Sequence, residues 1–392
     1  MEEYKLSDIA EVQTGPFGSQ LHNEDYVTSG TPIVTVEHLG NRKFSTQNLP
    51  LVSDEDAKRL VKYSLQEGDI VFSRVGSVDR CSYVTSLENG WLFSGRCLRV
   101  RCGNDCHPLF LYYYFCNEPV KQHIKSIAVG ATMPSINTKL MADIPVSLPS
   151  IETQKKIASI LSSLDDKIEL NRRINDNLEQ QAQALFDHFF DKENKSQEYS
   201  YPVYLTDIAI YLNGLAMQKY PALDIHKSLP VLKIKELGQG RCDNSSDRCS
   251  DSIDADYIID NGDIIFSWSG TLLVDVWCGG KCGLNQHLFK VTPQNNYPTW
   301  FIYYWTKRHL GRFKLIAKDK AVTMGHIKRG DLENAEVIIP TKSTMLELDA
   351  QIRPLFQSMI EKRLENSKLE NMRDTLLPKL MSGELKINDL NC

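Results

Sequence analysis

The sequence predicts an α+β chain of duplicated construction, in which two homologous α/β globular units alternate with two long helices that form a coiled coil. Three observations carry that expectation. Blocks of sequence return in the same order about 190 residues later. Each copy holds a short apolar strand opened by Gly-Asp, and each closes on a helix-length segment whose apolar residues step by four and three.

At 392 residues the chain exceeds one typical domain, so two or three are expected. A hydrophobic share of 42% suffices for packed cores and excludes wholesale disorder. The opening Met1-Glu2-Glu3-Tyr4-Lys5 has no basic stretch followed by an apolar one, so no export signal is expected. The longest greasy run, Leu109 to Cys116, falls far short of the roughly 20 residues that span a bilayer. A soluble, cytoplasmic protein with no membrane partner is therefore expected. Its ten cysteines are scattered and are expected to be reduced thiols. Cys242, Cys249, Cys278 and Cys282 offer the one four-thiolate zinc set, but their loose spacing fits buried small apolar residues better. No metal and no cofactor is expected. The net charge of −5 argues against nonspecific coating of nucleic acid. It does not exclude a site-specific binder, whose local charge on one face is what meets phosphates.

The repeat can be followed block by block. Leu6-Ser7-Asp8-Ile9-Ala10 returns as Leu205-Thr206-Asp207-Ile208-Ala209, and Thr31-Pro32-Ile33 as Leu229-Pro230-Val231. The run from Gly68 to Gly76, GDIVFSRVG, returns from Gly262 to Gly270 as GDIIFSWSG. Pro108, Phe110, Tyr113 and Tyr114 match Pro298, Trp300, Tyr303 and Tyr304. From Thr132-Met133, matching Thr323-Met324, the offset holds at 191 residues into both following helices. The expected partition is a globular unit at 1–150, a helix at 151–190, a polar linker at 191–201, a second globular unit at 202–342, and a helix with its tail at 343–392. Ile70-Val71-Phe72 and Ile264-Ile265-Phe266 read as buried strands.

In the first helix the stripe runs Ile157, Leu161, Leu164, Ile168, then Asn171 and Asn175, then Leu178, Ala182, Leu185 and Phe189. Adding 191 gives the second stripe, from Leu348 to Leu380, which turns polar at Lys362 and Asn366. Steps averaging 3.5 are the mark of a supercoiled pair, and polar seam residues fix register at a cost in stability. An antiparallel pair would set Asn171 against Asn366 and Asn175 against Lys362. A parallel pair would also align the polar layers, so the spacing leaves direction open, and each stripe packing on its own globular unit is the plainer alternative. Pro354, lacking an N–H, is expected to kink or restart the second helix.

This layout of globular unit, helix, globular unit, helix resembles the specificity subunits of type I restriction-modification systems. The closing run from Leu376 to Leu385, LLPKLMSGEL, is similar to their C-terminal signature, as are Gly-Asp-Ile-Ile-Phe-Ser and Leu284-Asn285-Gln286-His287. The resemblance covers essentially the whole chain. It implies that the globular units are target recognition domains, each reading half of an interrupted, asymmetric double-stranded DNA site. It also implies that the helices form an antiparallel coiled coil docking two methyltransferase subunits, with restriction/translocase subunits joining them.

Site-specific readers need cations for phosphates and planar polar groups for base edges. The stretch 306–329 holds Lys307, Arg308, Arg312, Lys314, Lys318, Lys320, Lys328 and Arg329 against the single acid Asp319. Its counterpart at 119–142 holds Lys121, Lys125 and Lys139 and no acid. Arg74 and Trp268 share one slot just after each buried strand, and Ser94-Gly95-Arg96 and Asn285-Gln286-His287 share another. Arg suits guanine, and Asn or Gln suits adenine. Arg42, Lys43, Arg80 and Lys281 lie in nearby loops. For each of these a structural hydrogen bond or a solvated loop charge is the competing reading, and His287 fits a satisfied structural histidine. No catalytic residue is expected. There is no Gly-rich cofactor loop, no Asn-Pro-Pro-type motif and no phosphate-binding loop. A metal-dependent nuclease would rest on Asp374 with Glu384-Leu385-Lys386, which sits at a helix end and not on a sheet. A coiled-coil scaffold for protein partners is the other alternative, and the recurring basic stretches count against it.

Overall fold

Leu6–Ile9 and Leu205–Ile208 each form a single helical turn because an aspartate three residues on takes the preceding backbone N–H. Asp8 accepts from Lys5 N at 2.9 Å and Asp207 from Tyr204 N at 2.7 Å. In this computed structural model the described residues are 2–16, 20–40, 42–191, 203–319 and 325–386. The polar linker and Lys320, Thr323 and Met324 fall almost wholly outside them; of the linker, only Asp191 is described.

The chain divides into two compact units, Met1–Asp166 with Asn371–Cys392, and Lys167–Glu370. In the first unit an antiparallel sheet runs in the order Ala10–Thr14, Cys97–Cys102, Ile70–Ser73, Cys81–Tyr83. A second sheet runs Tyr26–Val27, Leu51–Val52, Thr31–Val34, Leu92–Phe93, its last pair parallel. Glu2–Lys5 pairs with Pro145–Leu148. The second unit repeats the plan, with Ala209–Asn213, Leu288–Pro293, Ile264–Ser267 and Leu273–Val276 in the first sheet. Arg248–Ser250, Ser228–Leu232, Cys282–Leu284 and Ile258–Ile259 form the other. Even the register recurs, since Ile70 lies between Val100 and Tyr83, and Ile264 between Val291 and Val276.

Both Gly-Asp strands are buried throughout, as their unbroken apolar runs predict. The Gly-Asp ahead of them does specific work. Gly68 and Gly262 sit at φ +93° and +94°, a region that favours glycine. Asp69 then accepts the Gln66 N–H at 2.8 Å and a two-pronged ion pair from Arg101, with both contacts at 2.7 Å.

The two long helices span Ile151–Phe190 and Lys342–Ser382. They are not a spacer set apart from the globular parts, because each unit's core takes in a length of both. Ile157, Ala158, Leu161, Leu377, Leu380 and Met381 belong to the first core, around Phe110, Tyr113 and Phe115. Ala182, Phe186, Phe190, Leu348, Ile352 and Phe356 belong to the second, around Trp300, Tyr303 and Tyr304. Within each unit the two helices also meet each other, and they run antiparallel. Asp165 meets Arg373 at 2.8 Å within the first unit, and Asn171 meets Asn366 at 2.9 Å within the second.

Three expectations need correction. Helix continues unbroken through Pro354, whose side chain is exposed, so the second helix does not restart there. The Asn175–Lys362 pairing is not made: the Lys362 ammonium turns to Glu365 at 2.7 Å, and Asn175 Oδ1 is buried without a partner. The first stripe also leaves its heptad at the end, where Ala182, Phe186 and Phe190 are buried and Leu185 and Phe189 only partly so. That is the drift of a straight 3.6-residue helix once an aromatic core has replaced a partner helix.

Candidate nucleic-acid interface

The end of each buried strand is held by one backbone frame, repeated in the two units. Ser73 Oγ donates to the Val75 carbonyl at 2.7 Å, and Arg74 N–H to the Arg96 carbonyl at 2.8 Å. The Arg74 carbonyl accepts from Ile136 N–H at 3.0 Å, and Gly76 N–H donates to Pro134 O at 2.8 Å. In the second unit Ser267 Oγ donates to Ser269 O at 3.1 Å and Trp268 N–H to His287 O at 3.4 Å. Trp268 O then accepts from Ile327 at 3.1 Å, and Gly270 N–H donates to Gly325 O at 3.0 Å. Gly15 and Gly214 complete the frame, because a Cβ at either would overlap the carbonyl of Ser94 or of Asn285. These two glycines are absent from the sequence-based candidates. The 199-residue offset that aligns Leu6 with Leu205 also aligns them, and that was the available signal.

On this common frame the side chains differ. In the first unit Arg74 is half-buried, with Nη1 3.3 Å from the Gly95 carbonyl, while Arg96 is exposed. Arg80 donates to the carbonyl of Leu39, packing over Gly40, and Lys125 pairs with Asp79 at 3.0 Å. Both line an open cavity of about 550 Å³ with Gly76 and Pro134. The first unit thus brings Arg74, Arg80, Arg96 and Lys125 around one strand end.

The second unit is aromatic at that place, and its expected base readers are largely occupied. Trp268 Nε1 donates to Asn213 Oδ1 at 2.9 Å, and its ring lies 6.0 Å from His287 and 5.9 Å from Phe289. Asn285 is buried at 7% exposure; its N–H bonds Leu232 O at 3.2 Å and its Oδ1 accepts from His287 N at 3.4 Å, so it shapes the turn. His287 Nδ1 lies 3.0 Å from Ser269 Oγ. Half-buried Gln286 brings its amide nitrogen within 3.4 Å of His287 Nε2.

The basic stretches do not form one face. Successive residues of the helix Thr299–Asp319 point 100° apart, and its cations part accordingly. Lys307 pairs with Glu179, Arg308 approaches Asp187 at 3.7 Å, and Arg312 donates to Asn334 O at 3.0 Å. Arg329 pairs with Glu333 at 3.5 Å yet stays exposed, as do Lys314, Lys318 and Lys328. In the first unit Lys121 and Lys43 are half-buried and Lys139 is exposed, as is Lys281 in the second. Arg42 faces inward: it pairs with Asp166 at 2.8 Å on the first long helix and tethers its loop there.

The carboxylates Asp165 and Glu179 went unnoticed in the sequence because stripe reading looks only at seam positions. Asp165 accepts from Tyr113 OH at 2.6 Å and from Arg373 at 2.8 Å. Glu179 accepts from Tyr303 OH at 2.9 Å and from Lys307, with Arg363 at 3.9 Å. Burial alone would raise the Glu179 carboxyl, but the Lys307 and Tyr303 hydrogen bonds and the nearby Arg363 hold it below the usual range.

Among the described residues no three metal-binding side chains converge. Cys249, Cys278, and the pair Cys242 and Cys282 fall in three different apolar clusters. Asp374 is bound to Arg373 on the second long helix, at 2.8 Å.

Residues 1–180 and 190–371 each match the family model described as the type I restriction modification DNA specificity domain. The chain is similar to the type I restriction enzyme MjaIX specificity subunit of Methanocaldococcus jannaschii, at 29% identity over 98% of this chain and 94% of that protein. It is also similar to the type I restriction enzyme HindI specificity subunit of Haemophilus influenzae, at 22% identity over 98% and 99%. Its fold is like that of the type I restriction-modification S subunit from M. genitalium, with a TM-score of 0.58 at 16% identity over 97% and 95% of the two chains. Two matched domains filling nearly the whole length, on a duplicated frame, mean that this chain belongs to the type I restriction-modification DNA specificity family.

Proposed function

We propose that this chain is the site-reading subunit of a type I restriction-modification enzyme. It binds a bipartite, asymmetric double-stranded DNA site, one half-site to each of the recognition domains at 1–150 and 202–342, and has no catalytic centre. Two methyltransferase subunits and the restriction/translocase subunits are its partners. One observation carries the reading: a single backbone frame presents Arg74 and Arg96 in one unit and Trp268 and His287 in the other. A shared scaffold with different side chains at the same two slots is what two readers of different sequences require.

In the first unit Arg96 and Arg74 supply planar donors matched to guanine, with Lys125 and Arg80 beside them for phosphates. In the second, Gln286 and the exposed Lys281, Lys318 and Lys328 are the remaining candidates, with Lys43, Lys121 and Lys139 as peripheral cations of the first. No helix among the described residues is long and apolar enough to cross a membrane, in keeping with a cytoplasmic site of action. The test is to map methylated bases across a genome in cells holding the methyltransferase subunit, with and without this chain. A methylated two-part motif that appears only with the chain is expected. Methylation with no such motif would overturn the reading.

A further inference from the structure

Beside the Arg74 slot stands a short loop whose exposure and composition the reading above leaves unexplained. Val129 and Ser135 exchange backbone hydrogen bonds at 2.9 and 2.8 Å, and Ser135 Oγ adds a third to Val129 O at 3.1 Å. Ser135 also bridges to Val75, and Pro134 O takes the Gly76 N–H, so the loop base is fixed to the strand end. Gly130 turns the chain at φ +110°, where a Cβ would come within 2.8 Å of the Met133 carbonyl. Such a closed and anchored loop holds its tip in place. Its tip carries an apolar side chain nonetheless, Met133 at 66% exposure, and Val129 at the base is 63% exposed. The cavity lined by Arg80 and Lys125 adjoins it through Pro134.

The sequence adds an independent constraint. Thr132-Met133 recurs as Thr323-Met324, whereas the slots beside it have diverged from Arg74 and Arg96 to Trp268 and His287. What stays the same in two readers of different sequences must act on what the half-sites share, which is duplex geometry and not base identity. Methionine suits that task, being unbranched, polarizable and able to fit irregular gaps.

We propose that Met133, on the closed loop 129–135 of the first unit, is a wedge that enters the DNA stack beside the half-site and unstacks one base step. Neighbouring cations hold the flanking phosphates, and the deformation allows the slot residues to reach base edges. This rests on the reading of the first unit as a DNA reader. The experiment separates the two.

The full chain is titrated with short duplexes carrying the mapped motif, with 2-aminopurine placed in turn through both half-sites. One position should brighten on binding. Met133→Ala should abolish that signal and weaken binding about tenfold, the scale of a partly lost unstacking contact. A mismatch at the same step should restore most of the affinity, and Met133→Leu should keep the signal. Because the side chain is mostly exposed, its truncation leaves the fold intact, checked by an unchanged melting temperature. If the native chain binds tightly and no position brightens, or if Met133→Ala brightens as the native chain does, the wedge is wrong while the DNA reading stands. If Met133→Ala instead loses only its association with the methyltransferase subunit, the loop is a protein contact and the wedge is again overturned. If the native chain and its methyltransferase complex bind no duplex, both proposals fall.

Discussion

Asn171 and Asn175 each bury an Oδ1 that has no partner in the helix seam, and they differ in that Asn171 also donates across it. Asn171 donates to Asn366 Oδ1 at 2.9 Å, and Asn366 donates on to the Ile168 carbonyl at 3.1 Å. Asn175 is 8% exposed, and its Oδ1 has no partner. Asn175→Leu should therefore stabilise the chain, since it removes an orphaned buried oxygen and adds apolar area. Asn171→Leu also removes an orphaned oxygen, but it newly orphans Asn366 Oδ1, at a cost of about 1–3 kcal/mol, so the two effects offset and it should not stabilise. The measurement is the urea midpoint of each variant, with Asn175→Leu above the native chain and Asn171→Leu at or below it. Charged side chains divide in the same way between structure and surface. Arg96→Ala should weaken binding to the chain's own site by about 1–3 kcal/mol and relax the sequence read there, the effect of one lost base-edge contact. Lys307→Ala, which removes a partner of Glu179 and no exposed cation, should lower the melting temperature and leave affinity and specificity for DNA unchanged. Unaltered affinity and specificity in Arg96→Ala would move the DNA face away from the strand end.

At the scale of elements, two carboxylates on the first long helix tie each unit's aromatic helix to the helix pair. Asp165 takes Tyr113 and Arg373, and Glu179 takes Tyr303, Lys307 and Arg363. Tyr113 and Tyr303 are counterparts in the repeat, so one device was built twice from different helix positions. Sequence reading saw the tyrosines recur but not their partners, because Asp165 and Glu179 are not themselves 191 residues from a matching acid in the same role. Heptads, by contrast, were legible wherever helix faces helix, and misled only near Phe186 and Phe190, where a globular core takes over. The carboxyl of Glu179 is depressed in the fold, against about 4.3 when unfolded. Its stabilisation is thus complete above the unfolded value and is lost as pH falls through the lower, folded one. Thermal melts should show Glu179→Gln less stable than the native chain at neutral pH, with the gap closing below about pH 4. A gap that stays constant down to pH 3 would mean that the carboxylate charge contributes nothing.

On the scale of the whole chain, the duplication was fully legible, since five blocks in order leave little freedom, whereas the share of each long helix that joins a globular core was not. Reading the helices as segments apart follows from their heptads. The structure instead gives Ile157, Leu161, Leu377 and Leu380 to the first unit's core, because a sheet with one apolar helix still has an open face to cover. This bears directly on the exchange of modules. Replacing residues 1–150 by the matching unit of another such subunit should change one half-site of the methylated motif. The other half-site depends on a unit left untouched, and the spacer on helices that remain whole. The graft must also fill the same seat. Its aromatic helix needs a hydroxyl to meet Asp165, as Tyr113 does, and its core must accept Leu377, Leu380 and Met381. A donor with phenylalanine at the Tyr113 position should therefore melt lower, by the cost of leaving Asp165 with one partner fewer, about 1–3 kcal/mol. Restoring the tyrosine should recover it without altering the motif. Genome-wide methylation mapping of the chimaera with its methyltransferase subunit reads the specificity, and thermal melts read the fit. A change confined to one half-site, at unchanged spacer, is the expected result. If both half-sites or the spacer changed in a chimaera that melts like the native chain, the two units would not be separate readers.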